Sequence, residues 1–104
     1  MTDLTPLPMA EARIKLSHLE ENIRHIRQWT GKKLRIMGIV KANAYGHGVH
    51  RVAETLESVG ISDFGVANIQ EAVALRTGGA LKKPAAILAF SSPLEPQIDG
   101  YLQH

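Results

Sequence analysis

Leu34-Arg35-Ile36-Met37-Gly38-Ile39-Val40-Lys41-Ala42-Asn43-Ala44-Tyr45-Gly46-His47-Gly48 is the stretch that decides the fold. It opens as an apolar run that is dry on both faces except at its start. That pattern predicts a buried parallel strand rather than an antiparallel strand with one wet side. Beyond the loop, Val49, Val52, Ala53, Leu56 and Val59 recur at helical spacing, and Gly60 ends the segment. A strand, a glycine-punctuated loop and a helix in this order make the first half of a βαβ unit.

The pattern repeats downstream. Asp63-Phe64-Gly65-Val66-Ala67 is a second short strand, and Asn68-Ile69-Gln70-Glu71 has the form of a capping box opening another helix. Ile69, Ala72, Val73 and Arg76 share a face of that helix, and Gly78-Gly79 stops it. Pro84 precedes a third strand over Ala85 to Phe90, and Leu94 to Leu102 reads as a weak last helix. Upstream, residues 1–10 read as a flexible N-terminal tail. Ala12 to Leu16 alternates like a short strand, and Ser17-His18-Leu19-Glu20 reads as a capping box with Ser17 as N-cap. A helix is expected from Leu19 to Thr30, with Leu19, Ile23, Ile26 and Thr30 on one stripe, Glu20 paired to Arg24 and Gly31 closing it. Alternation of this kind predicts an α/β fold with a parallel sheet. Three such strands with helices on one side leave the other face bare, so the sheet looks unfinished.

With 104 residues, one small domain is expected. The formal charge is only +2, and the basic clusters Lys32-Lys33-Arg35 and Lys82-Lys83 follow helix ends, where cations suit the dipole. No aromatic residues interleave with them, so no nucleic-acid partner is expected. There are no cysteines, which excludes thiolate chemistry and disulfides. No signal peptide or membrane span is read in the chain, so a cytoplasmic enzyme or binding domain is the expectation.

Met37, Ile39 and Lys41 alternate onto one strand face, which carries Lys41 to the C-terminal mouth of a parallel sheet, where ligands collect. A lysine amine there forms a Schiff base with a carbonyl, and a loop running into a helix N-terminus receives a phosphate. Pyridoxal phosphate needs both. Position alone leaves the alternative of a solvated lysine that merely ends a strand. Tyr45 reads either as a phosphate donor or as a packed ring with a wet hydroxyl. The Gly46-His47-Gly48 segment lacks dinucleotide or P-loop spacing. His47 and His50 have no evident third ligand, so no metal site is expected. His18, His25 and His104 read as surface residues. Glu71 and Arg76 read as favourable charges at the two ends of a helix.

The run Val40 to Gly48 resembles the cofactor-attachment motif of bacterial alanine racemases. Phe64-Gly65-Val66-Ala67 with Glu71 to Arg76, and Ala12 to Leu16 through Asn22, resemble neighbouring blocks of that family. The resemblance implies that residues 11–104 are an N-terminal fragment of a (β/α)8 barrel, about three βα units long. It implies pyridoxal 5'-phosphate as cofactor, with Lys41 holding it and serving as one catalytic base, and Tyr45 bonding its phosphate. Ala42 to Ala44 would shape the turn. The Ala12 to Leu16 strand would pack with a C-terminal β-domain, although Arg13 and Lys15 depart from the acidic residues usual there. The implied activity is interconversion of L- and D-alanine by a homodimer, supplying D-alanine for the cell wall. The second base, a tyrosine of the partner subunit, has no counterpart here, and the piece alone is expected to be inactive. A serine or broad-specificity racemase and a non-catalytic cofactor carrier are the alternatives.

Overall fold

In the computed structural model, which describes residues 13–91, helix α1 spans Leu16–Thr30 and strand β1 Met37–Ile39. A helical turn α2 (Lys41–Tyr45), helix α3 (Val49–Ser58), strand β2 (Asp63–Val66), helix α4 (Ile69–Thr77) and strand β3 (Ala86–Ala89) follow. The three strands form one parallel sheet in the order β1-β2-β3. Met37, Asp63 and Ala86 are in register, as are Ile39, Gly65 and Leu88. The alternation of strand and helix expected from residue 34 onward is therefore present. Residues 1–10 and the expected helix at Leu94 to Leu102 lie outside the described residues.

One sheet face carries the core. Val40, Phe64 and Val66 lie there against Val52, Ala53 and Leu56 of α3 and Ile69, Ala72 and Leu75 of α4. Helix α3 comes so close to β1 that a Cβ at Gly38 would stand 2.8 Å from Leu56 Cδ1. The other face is open: Met37, Ile39, Leu88 and Phe90 are 40, 36, 48 and 52% exposed. This corrects the expectation of a strand from Leu34 to Val40 dry on both sides. The ordered strand is three residues long, and among the described residues only its helix side is covered. The apolar run suits two layers, and one of them is present.

The N-terminal boundary is also corrected. Arg13 to Lys15 are irregular and Leu16 already opens α1, so the described part of the expected Ala12 to Leu16 strand is absent. Lys15, not Ser17, is the N-cap, without a side-chain bond, and the His18 amide donates to the Lys15 carbonyl at 3.0 Å. A strand needs a ladder for its amides, and no described strand lies beside this segment; a helix satisfies them locally. The rest of α1 follows its sequence. Ile23 is buried, Arg24 lies 3.7 Å from Glu20, and Gly31 caps the C-terminus at φ 80°.

Arg35 stands two residues before Met37 and forks onto the carboxylate of buried Asp63, with Nε 3.0 Å from Oδ2. The hydrogen bond, then the charge, of Asp63 raises the Arg35 pKa above its ordinary value. A raised cationic pKa means that its contribution persists through neutral pH and is lost only as pH rises through that value. The pair closes the N-terminal end of the open face, away from Lys41.

Candidate active site

The C-terminal edge of the sheet is where the chain concentrates unusual geometry. Val40 adds one bond to the β1–β2 ladder, its amide donating to the Gly65 carbonyl at 2.8 Å. Lys41 follows, half-buried, with Nζ 5.9 Å from the centre of the Phe90 ring and 6.0 Å from that of Tyr45. Among the described residues these rings are its only partners, so no carboxylate competes for the amine. Contacts of this kind contribute about 0.5–1 kcal/mol at exposed sites, enough to aim a flexible chain without sequestering its head.

The register explains why Phe90 is there. Lys41 and Phe90 each lie two residues beyond a registered pair, Ile39 and Leu88, with Gly65 between. A Cβ on Gly65 would come within 2.7 Å of Ile39 Cδ1 and 3.0 Å of Phe90 Cζ. Glycine at this position lets the Phe90 ring lie over β2 towards Lys41. Tyr45, the other ring near the amine, is 60% exposed.

The segment joining Lys41 to Tyr45 is a left-handed turn. Ala42, Asn43, Ala44 and Tyr45 have φ of 52, 55, 55 and 57°, and Gly46 ends the run at 85°. Each L-residue in this region costs roughly 1–2 kcal/mol, so the four together store on the order of 4–8 kcal/mol. It recovers part of this in backbone bonds: Ala44 N–H to Val40 at 2.9 Å, and Gly46 N–H to Ala42 and His47 N–H to Ala44 at 3.0 Å each.

Side chains tie the turn to its surroundings. Asn43 Oδ1 accepts from the Val49 amide at 2.8 Å, capping the first turn of α3 from within the loop. Glu71 reaches from the first turn of α4: Oε2 accepts from the Ala42 amide at 2.9 Å and Oε1 from the Ala67 amide at 2.7 Å. Asn68 Oδ1 accepts from the Glu71 amide at 2.9 Å, as the capping reading expects. The glutamate reaches past the cap residue to the end of β2 and to the turn α2, so the reading of Glu71 as a dipole charge alone is incomplete. Behind the turn, on the helix side, lies a groove of about 300 Å³ bordered by Val40, Asn43, His50, Glu71 and Leu75.

The structure thus brings Lys41 and Tyr45 together and adds Phe90, Gly65, Asn43 and Glu71, which the sequence reading did not select. The signals for Asn43 and Glu71 were weak: asparagine tolerates left-handed backbone, and a glutamate three residues after a cap has a free carboxylate. Phe90 was legible only through register. His47 is exposed, and His50 lies 3.8 Å from Glu54 on its own helix. Arg76 donates to the Ala85 carbonyl at 2.5 Å, fixing the approach to β3.

Comparison with known proteins gives a consistent set. The alanine racemase N-terminal domain family matches residues 14–104. The alanine racemase of Chlorobaculum tepidum is 53% identical over 96 residues, 92% of this chain and 25% of that protein. An amino-acid racemase of Enterococcus faecalis is 50% identical over 88 residues, 85% of this chain and 12% of that protein. Among solved structures, alanine racemase of Clostridium difficile superposes with a TM-score of 0.76 at 28% identity, covering 85% of this chain and 24% of that one. The alanine racemase of E. faecalis also gives 0.76, at 30% identity, covering 86% and 24%. The chain therefore spans about a quarter or less of the length of these relatives. Its sheet is a three-stranded arc of the barrel that those structures close.

Proposed function

Because this chain belongs to the alanine racemase N-terminal domain family, we propose that it is the cofactor-anchoring segment of a pyridoxal-phosphate-dependent racemase interconverting L- and D-alanine. The observation that carries the reading is the Lys41 amine, near two rings at the sheet's C-terminal edge with no carboxylate of the described residues paired to it. A primary amine is the donor that an aldehyde cofactor takes, and a neutral aromatic wall suits a flat heteroaromatic ring. The residues present fit the group. Pyridoxal phosphate, when bound, supplies the aldehyde and an electron-withdrawing ring that weakens the bonds at the substrate's Cα.

In this reading Lys41 Nζ holds the cofactor. When its amine is free, it exchanges a proton with Cα on the face that yields the D-enantiomer. Tyr45, on the exposed side of the turn, donates its hydroxyl to a phosphate oxygen. Phe90 shields the amine from water on one side. Racemisation also needs a base on the opposite face of Cα, and the family resemblance assigns no described residue to that role. That base would come from outside the chain, in a homodimer from the partner subunit. A cytoplasmic enzyme supplying D-alanine for peptidoglycan is the corresponding cellular role. A second reading, a racemase of serine or of broad specificity, has the support of the 50% identity to a relative named only as an amino-acid racemase.

The test is chemical. The chain is mixed with pyridoxal phosphate, reduced with borohydride, and mapped by mass spectrometry. The expected pyridoxyl label is on Lys41 in preference to Lys15, Lys32, Lys33, Lys82 and Lys83. A label spread evenly over the lysines sinks the reading. The same preparation is expected not to racemise alanine above a Lys41→Ala control.

A further inference from the structure

Lys41 is aimed by a backbone that its own residues disfavour. Four consecutive L-residues in the left-handed region persist only where the surroundings over-determine them. Packing does not suffice here. Ala44 is buried, but Ala42, Asn43 and Tyr45 are exposed, and the groove behind the turn leaves room for it to relax. The remaining constraint is polar, and one side chain supplies it across the longest reach. Glu71 lies 29 residues from Ala42 in sequence and holds that amide with one oxygen and the Ala67 amide with the other. Ala42 lies in α2, the turn after β1, and Ala67 directly follows β2. A carboxylate shared between them ties the turn that carries Lys41 to the end of β2.

We propose that Glu71 is the positioning residue for Lys41, its carboxylate latching the left-handed turn so that the amine is presented over Phe90. The proposal rests on the reading of Lys41 as the cofactor anchor. The latch is well built for the task. Bonds from amides to an ionised carboxylate are roughly twice as strong as neutral ones. The N-terminus of α4 favours the negative charge, and Asn68 fixes the helix end that carries it. A comparable carboxylate serves as the internal control. Glu57 of α3 accepts from the amides of Lys82 and Lys83 at 2.9–3.1 Å, in the loop before β3, away from Lys41.

The experiment uses the full chain with Glu71→Ala, Glu71→Gln and Glu57→Ala, and two readouts. Amide hydrogen exchange at Ala42 and Ala67 needs no cofactor. In Glu71→Ala both amides are expected to exchange about tenfold faster or more, the loss of one good bond each. Glu71→Gln, which keeps one acceptor oxygen and turns an NH2 towards the other amide, is expected to release only one, and it serves where the alanine variant unfolds. The second readout is borohydride trapping of pyridoxal phosphate. The ratio of label on Lys41 to that on each other lysine is expected to fall about tenfold or more in Glu71→Ala, as a displaced reacting group does, and to hold in Glu57→Ala.

Unchanged exchange at both amides in Glu71→Ala overturns the latch. Released amides with an undiminished Lys41 label overturn its positioning role. So does an equal loss of label in Glu57→Ala, which would mean that general destabilisation is responsible. A wild-type chain with protected amides and no preference for Lys41 overturns the cofactor reading instead, and the proposal with it.

Discussion

At the scale of single residues, Lys41 and Gly65 act as a pair. The missing side chain of Gly65 is what lets Phe90 reach the amine. Gly65→Ala is expected to push Phe90 or Ile39 aside, at about 1–3 kcal/mol of stability by urea denaturation. It is also expected to lower the Lys41 label, whereas a surface change such as Gln70→Ala leaves both untouched. An undiminished urea midpoint in Gly65→Ala would refute the close approach. Lys41 and Tyr45 were legible in the sequence because strand alternation and a specific motif fix them locally. Phe90 and Glu71 were not, because their importance arises from partners dozens of residues away. Alternation places a side chain on a face, but register and helix approach decide what it meets.

At the scale of elements, α2 shows where local reading fails. Gly46 and Gly48 mark a sharp turn, yet in Ala-Asn-Ala-Tyr only Asn43 suits a left-handed path. Bonds to Val49, Glu71 and the loop amides override the intrinsic preference, so the turn is a tertiary product. Asn43→Ala removes both the cap on α3 and the one side chain suited to the left-handed region. It is expected to cost about 1–2 kcal/mol, read as a lower urea midpoint. A loss no larger than that of an exposed Gln70→Ala would show that the cap carries nothing. The start of α1 fails for the converse reason: the pattern at Ala12 to Leu16 suits a strand, but a strand is made by its neighbour. Helices α3 and α4 were readable almost to the residue, since glycine stops and apolar spacing are local signals.

At the scale of the whole molecule, the sheet has two unlike faces. The covered face holds Phe64, fully buried, while the open one holds Met37, Ile39, Leu88 and Phe90. Phe64→Ala is expected to cost about 3–5 kcal/mol, and Leu88→Lys less than about 0.5 kcal/mol, in the same denaturation series. Leu88→Lys is further expected to reduce self-association of the chain in sedimentation velocity, because no described residue covers that face. Equal losses from the two substitutions would mean that the open face is covered after all. The unfinished character of the sheet was legible from strand count and one-sided helices. The ion pair of Arg35 with Asp63 was not, because it joins the segment before β1 to a strand 28 residues further on.

The left-handed turn also has a stereochemical consequence. Its backbone dihedrals are those that mirror-image residues adopt by preference. At exposed Ala42, a D-alanine introduced by chemical synthesis would occupy the observed conformation without the strain that its L-counterpart bears. The same inversion inside α3 would break the helix. One chain thus contains, a few residues apart, backbone suited to each hand of the same amino acid.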